Sequence, residues 1–238
     1  KPSFISSIDL FMFRLKTILA VTLILYSLPL SKSEDITFDP DKPWPAESFL
    51  LYTEMGLDKF ITYDVFRLGY LGFKKIEDRK KELLSIVDFS MPSTKKRLLV
   101  LDMESHKILF NTHVAHGKNS GWNYATAFSN QVGSYQSSLG FYLTENTYLG
   151  GNGYSLILEG LEKGFNNKAK ERAIVVHGAD YCQPYVIASS GRLGRSFGCP
   201  ALPPSLSRPI IDAIKGGSVL FVYAEDSKYL AQSTLLQP

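Results

Sequence analysis

Apolar positions follow two different rhythms along this chain. Between residues 46 and 81, Phe49, Leu50, Tyr52, Met55, Val65, Phe66, Leu68, Tyr70 and Leu71 recur at mixed spacings of three and four. That is helical spacing, and it predicts two or three short helices with breaks at Gly56-Leu57 and at Gly69. From Leu83 onward the period shortens. Runs at 84–89, 97–102 and 107–115 read as strands, with Glu104-Ser105-His106 as a turn, and four more follow at 140–143, 154–158, 172–177 and 218–223. One late helix is predicted over 207–215, with Ser207 as its cap, Ile210, Ile211 and Ile214 as its apolar face, and Gly216-Gly217 as its stop. Residues 117–152 are rich in Gly, Ser and Asn and read as a long loop of the kind that carries function. The pattern predicts a β-dominated α+β fold: a linker and helical N-terminal segment at 34–82, a sheet-rich domain at 83–223 and a tail at 224–238.

The first residues stand apart. Met12 precedes Arg14, Lys16 and an apolar run from Ile18 to Leu30, and Ser31-Lys32-Ser33 puts small residues where a signal peptidase reads. The run is short of the roughly 20 apolar residues that a bilayer span needs. Residues 1–33 are therefore expected to be a signal peptide, with 1–11 as a possible upstream read-through. An uncleaved anchor is the alternative. The mature protein is expected in the periplasm or cell envelope, with no stable membrane insertion after cleavage.

Composition narrows the function classes. At 238 residues, 45% hydrophobic and 21% charged, the chain supports one principal folded domain. Its net charge of +3 comes from scattered Lys and Arg, which argues against nucleic acid as a partner and suits an anionic substrate or envelope surface. Nothing in the sequence sets an oligomeric state. The two cysteines, Cys182 and Cys199, would ordinarily pair in an exported protein.

Local context favours a different use of Cys199. The β-branched run Ala173-Ile174-Val175-Val176 delivers His177-Gly178 at a strand end, and Gly194-Arg195-Ser196-Phe197-Gly198-Cys199-Pro200 follows as a tight, glycine-flanked turn. A cysteine attacks as thiolate, and a neighbouring imidazole is the usual device for generating one near neutral pH. His177 is the candidate base, the Gly178 carbonyl the group that orients its ring, and the N–H groups of Gly198 and Cys199 the oxyanion donors. Cys182 then reads as a partly buried thiol. No cofactor or metal is required: His113 and His116 could join His177 and Asp180 around a metal only if their strand ended between them. His116 reads as a strand-end residue near the cleft, in a structural or substrate-contacting role. Tyr154, like Phe141 and Tyr142, reads as core or as a substrate platform.

His177-Gly178-Ala179-Asp180 and the turn from Gly194 through Leu202 resemble the signature of the murein L,D-transpeptidase catalytic domain, in its YkuD-related branch. Segments 114–117, 128–130, 137–142, 153–155 and 158–161 extend the resemblance over roughly residues 83 to 223. It implies a β-sandwich-like domain that moves peptidoglycan stem peptides from a donor tetrapeptide to an amine, with His177 as base, Cys199 as nucleophile and Ser196 as the motif serine. An L,D-carboxypeptidase or amidase-like hydrolase would use the same pair with water as acceptor, and a wall-binding module would not need the pair. Phe197 and Ala201 depart from the family pattern, which has His and Arg there. Arg195, or else Arg192, is expected to supply the positive charge for a substrate carboxylate.

Overall fold

The computed structural model describes residues 46–237, and the expected signal peptide and linker (residues 34–45) lie outside them. The helical spacing yields helix α1 (Ala46–Glu54), a 3-10 turn (Leu57–Lys59) and helix α2 (Tyr63–Lys75). Gly56 breaks the chain with a left-handed φ of 61°. Gly69 does not, because it lies inside α2, where a Cβ would stand 3.1 Å from both Ile86 and Phe221. Gly72 is tighter still, with a Cβ position 2.1 Å from Phe141 Cζ. These two glycines let α2 lie against the sheet, so their function is close approach. Val65, Phe66, Tyr70 and Phe73 form its buried face.

Eight strands follow: β1 (Leu83–Asp88), β2 (Leu98–Asp102), β3 (Lys107–Thr112), β4 (Gly140–Gly150), β5 (Gly153–Gly160), β6 (Val175–Gly178), β7 (Ala201–Leu202) and β8 (Val219–Tyr223). They make one sheet in the order β3-β2-β1-β8-β4-β5-β6-β7. The β1–β8 and β6–β7 pairs are parallel and the others antiparallel. β8 is buried along its whole length, as its unbroken apolar run requires. After β3 the chain crosses to the far edge of the sheet: Ala115 bridges Ala201, and Gly117 bridges Ser196. The two ends of the strand order are thereby joined, which closes the sheet around its core.

Several expected boundaries move. β4 runs to Gly150 and pairs with β5 as a long hairpin, taking residues 140–150 out of the predicted loop. β3 stops at Thr112, before His113. The strand expected from 172 begins at Val175, because residues 168–173 form a turn that leaves Ala173 at a φ of 51°. Ser207 does not cap the late helix α4 (Pro204–Ile214); the helix starts earlier, and Ser207 Oγ donates to Pro204 O at 3.1 Å. Pro204 explains the earlier start, since its fixed φ suits a first helical turn. Two more helices, α3 (Pro184–Ser190) and α5 (Ser227–Gln232), had no clear periodic signal. In the expected tail, Asp226 caps α5 by accepting from Tyr229 N–H at 2.8 Å, and buried Tyr229 donates to Glu162 at 2.9 Å. No helix among the described residues is long and apolar enough to cross a membrane.

The Gly72 contact gives a test against helix propensity. Alanine is favoured over glycine inside a helix by about 1 kcal/mol. Gly72→Ala is nevertheless expected to destabilise the protein by about 1–3 kcal/mol in urea denaturation, because the added methyl collides with Phe141 in the core. A stabilised variant would show that α2 can lift away from the sheet at no cost.

Candidate active site

The parallel pairing of β6 with β7, His177 opposite Ala201 and Gly178 opposite Leu202, brings the two halves of the sequence signature together. Two residues before that register, Val175 N–H donates to Cys199 Sγ at 3.5 Å, and the thiol donates to Ala173 O at 3.6 Å. The sulfur thus stands where the next ladder acceptor on β6 would be. The left-handed conformation of Ala173, which costs a non-glycine residue about 1 kcal/mol or more, presents the carbonyl that receives the thiol.

The turn holding Cys199 is stapled from within. Ser196 Oγ donates to Cys199 O at 2.6 Å and accepts from Gly198 N–H at 3.0 Å. The Gly198 N–H, expected as an oxyanion donor, is therefore already engaged, which leaves the Cys199 N–H as the remaining candidate. Gly198 itself cannot be replaced freely: its φ is 128°, and a Cβ would stand 2.8 Å from Gln136 O and 3.4 Å from Arg172 Nη2. Ser137 Oγ donates to Gly198 O at 3.1 Å and accepts from Gly117 N–H at 3.0 Å, tying the nucleophile turn to the long loop.

His177 is mostly buried, and its Nδ1 lies 2.9 Å from Gly178 O. A carbonyl only accepts, so Nδ1 carries the proton and Nε2 holds the lone pair. Burial keeps the imidazole below its ordinary value of 6.5, partly offset by that bond. Burial also pushes the Cys199 thiol up, against opposing pulls from the Val175 N–H, the Arg172 guanidinium and its own N–H. The resting pair is accordingly neutral thiol and neutral imidazole. The thiol's hydrogen bonds go to backbone, and none joins it to His177.

Arg172 was read from sequence only as the start of a strand. It is half-buried and ties the long loop in place, with Nη1 donating to Ser129 O at 2.6 Å and Nη2 to Gln136 O at 2.6 Å, plus contacts to Ser134 and Ser138. Its guanidinium packs against Gly198 and acts electrostatically on the Cys199 thiol. No linear signal marks it, because the turn at 168–173 that aims it was hidden in an apparent strand.

Two expected site residues, His116 and Tyr154, are placed differently, and Arg195 has one of its nitrogens engaged with backbone. His116 is fully buried and cannot touch substrate. Its Nδ1 accepts from Arg97 Nη2 at 2.7 Å, and burial with that guanidinium pushes its pKa down to about 3. Tyr154 precedes Ser155, which pairs with His177, so alternation puts Tyr154 on the opposite sheet face from the base. That face carries α4: Tyr154 donates to Asp212 at 2.7 Å, and a Cβ on Gly178 would meet Ser207. Arg195 donates through Nη1 to Lys118 O and Gly121 O, each at 2.9 Å, and so shapes the loop beside the turn. Cys182 is buried and donates to Ala201 O at 3.2 Å, and burial raises its pKa to about 12. Both cysteines are free. His113 meets only Thr94 O, and no group of three or more His, Cys, Asp or Glu suited to a metal occurs among the described residues.

The departures from the motif also find their places. Ala201 is fully buried in a small cluster with Ala115, Cys182 and Leu193, where an arginine side chain has no room. Phe197 is 65% exposed and packs on Tyr135 with ring centroids 4.9 Å apart.

The family model of the L,D-transpeptidase catalytic domain matches residues 57–223. Among solved structures, the chain is similar to an LD transpeptidase in complex with imipenem, at 16% identity and a TM-score of 0.37 over 60% of this chain and 59% of that one. An L,D-transpeptidase from Mycobacterium smegmatis gives 15% identity and 0.37 over 60% and 59%, and an Enterococcus faecium L,D-transpeptidase C442S mutant gives 16% and 0.37 over 62% and 50%. The chain thus spans about 60% of the length of the first of these structures. No match is found among curated proteins.

Two outcomes follow from the burial of these groups. Iodoacetamide should label Cys199 slowly at neutral pH, with a rate that climbs toward and beyond pH 9, while Cys182 stays unlabelled until the protein unfolds. Mass spectrometry of the labelled peptides reads this directly, and preferential labelling of Cys182 would contradict it. Arg97 is buried and donates to Val114 O, Met91 O and His116 Nδ1. Arg97→Met leaves those acceptors unpaired and should cost about 3 kcal/mol or more in urea denaturation. A loss below 1 kcal/mol would mean that water replaces the guanidinium.

Proposed function

We propose that this chain, which belongs to the L,D-transpeptidase catalytic-domain family, is a cysteine acyltransferase acting on peptidoglycan stem peptides, with Cys199 as nucleophile and His177 as general base. The observation that carries the reading is the fixed tautomer of His177: Gly178 O holds the Nδ1 proton, so Nε2 is free to accept one. Cys199 sits beside Val175, and two residues along a strand span about 6.6 Å. A rotation of the thiol away from Ala173 O is the motion that brings it toward the imidazole, and such bonds commonly form only with substrate in place.

The steps balance as follows. The Cys199 proton passes to His177 Nε2 as sulfur attacks the carbonyl carbon of the donor peptide, and the oxyanion draws on the Cys199 N–H. Collapse breaks the C–N bond, and the leaving amine takes the proton from the imidazolium, which leaves a thioester on Cys199. An incoming amine then gives its proton to His177 and displaces the thiol, which is reprotonated. Water in the same place would make the reaction a hydrolysis. Ser196 acts as a positioning residue, because its two bonds fix the turn. The export signal expected at 1–33 fits a substrate found in the cell envelope.

Incubation of the protein with muropeptides, read by mass spectrometry, tests this. Dimeric products identify transfer to an amine, and trimmed monomers identify hydrolysis. Cys199→Ala should abolish both, and turnover by that variant would end the proposal. His177→Gln should lower kcat/KM by about 10²–10⁴. In the wild type kcat/KM should rise with pH as the imidazolium deprotonates, and burial places that rise below pH 6.5. In His177→Gln the rate should instead climb with thiolate toward pH 9 and above. A wild-type profile identical to that of the variant would remove His177 from the mechanism.

A further inference from the structure

A rim of cations held over aromatic rings flanks the nucleophile turn. Lys118 Nζ lies 4.3 Å from the Tyr135 ring centroid and 4.6 Å from that of Phe197, two residues before Cys199. The guanidinium carbons of Arg192 and Arg195 lie 3.8 Å and 4.6 Å from the ring centroid of Trp122, which is 63% exposed. The two groups are joined, since Arg195 binds both Lys118 O and Gly121 O. None of the ion pairs among the described residues involves Lys118, Arg192 or Arg195. Three cations therefore stand beside the turn without a carboxylate partner among the described residues. The two guanidiniums repel each other over a single indole, and burial and that neighbour lower Arg192 from its ordinary value.

We infer that this rim is a carboxylate-reading subsite, which selects stem peptides whose side-chain carboxylates are free over the same peptides with those groups amidated. The inference rests on the proposed peptide substrate and adds a specificity to it. Arg192 Nη1 is held by Leu193 O and Arg195 Nη1 by Lys118 O and Gly121 O, so it is the Nη2 groups, without a partner among the described residues, that can each donate to a carboxylate oxygen. Ring contact also restricts the long side chains beforehand, so less freedom is lost on binding. An acidic peptide would relieve the repulsion between Arg192 and Arg195, whereas a neutral amide would not.

The test uses the full chain and two synthetic stem tetrapeptides that differ only in free or amidated side-chain carboxylates. Wild-type kcat/KM should favour the free carboxylate by about tenfold, as expected of a charge-assisted hydrogen bond near the surface. Arg192→Gln and Lys118→Gln should each pull that ratio toward one, as should added salt. Neither side chain donates to a distant part of the fold, so unchanged thermal unfolding should accompany the effect. Calorimetry with Cys199→Ala measures binding of the same two peptides without chemistry. Carboxylate-selective binding without wild-type turnover would uphold the rim and sink the acyl-transfer reading. Turnover without selectivity would uphold acyl transfer and sink the rim, and variants that slow both peptides alike would also sink it. Failure of both binding and turnover would overturn both.

Discussion

The position of Cys199, the proposed nucleophile, depends on a guanidinium that never meets it. Arg97 is buried, stacks on Phe89 at 4.7 Å, and gives its protons to Val114 O, Met91 O and His116 Nδ1. Those bonds fix the segment after β3, whose Ala115 and Gly117 bridge Ala201 and Ser196 at the far edge of the sheet. β7 has only two residues and could not hold its place on β6 alone. Clamped from both sides, it sets Cys199 beside Val175 and His177 two residues further along the same strand. Burial lowers the Arg97 pKa to about 9, and its polar partners supply what water would otherwise give the charge.

Burial then sets the chemistry of the resting site. Both members of the Cys199–His177 pair sit where the charged form is disfavoured, so neither proton moves in the absence of another group. The thiol is parked on backbone partners, Ala173 O and the Val175 N–H, and the imidazole is held in one tautomer by Gly178 O. A quiet thiol resists oxidation and exchange, because it is the thiolate that reacts. Arg172 is the local cation that opposes this burial, and it also fastens the loop from Ser129 to Ser138 over the turn.

Phe197 and Ala201, the two departures from the family pattern, reflect a different distribution of charge around the turn. Ala201 fills a small buried cluster, and the cations around the turn are Arg172 on one side and Lys118, Arg192 and Arg195 on the exposed rim. Phe197 packs on Tyr135 and lies beneath Lys118. An aromatic there offers Lys118 a ring face on which to rest.

The sequence by itself determined the order and type of most elements, since period-two and helical spacings are local properties. It also marked a strand-end His177 and a glycine-flanked Cys199 as candidates, because a tight turn and a buried strand leave marks within a few residues. It misplaced Gly69, Ser207 and the start of β6, where close packing, a preceding proline and a left-handed turn override local preference. Only the tertiary structure decided the surroundings of the pair: that His116 is enclosed, that Tyr154 lies on the opposite face, that the Gly198 N–H is already bonded, and that Arg172 packs against Gly198. Each of those depends on which distant segments meet at the edge of the sheet, and burial, the quantity that sets charge and access there, exists only once they have met.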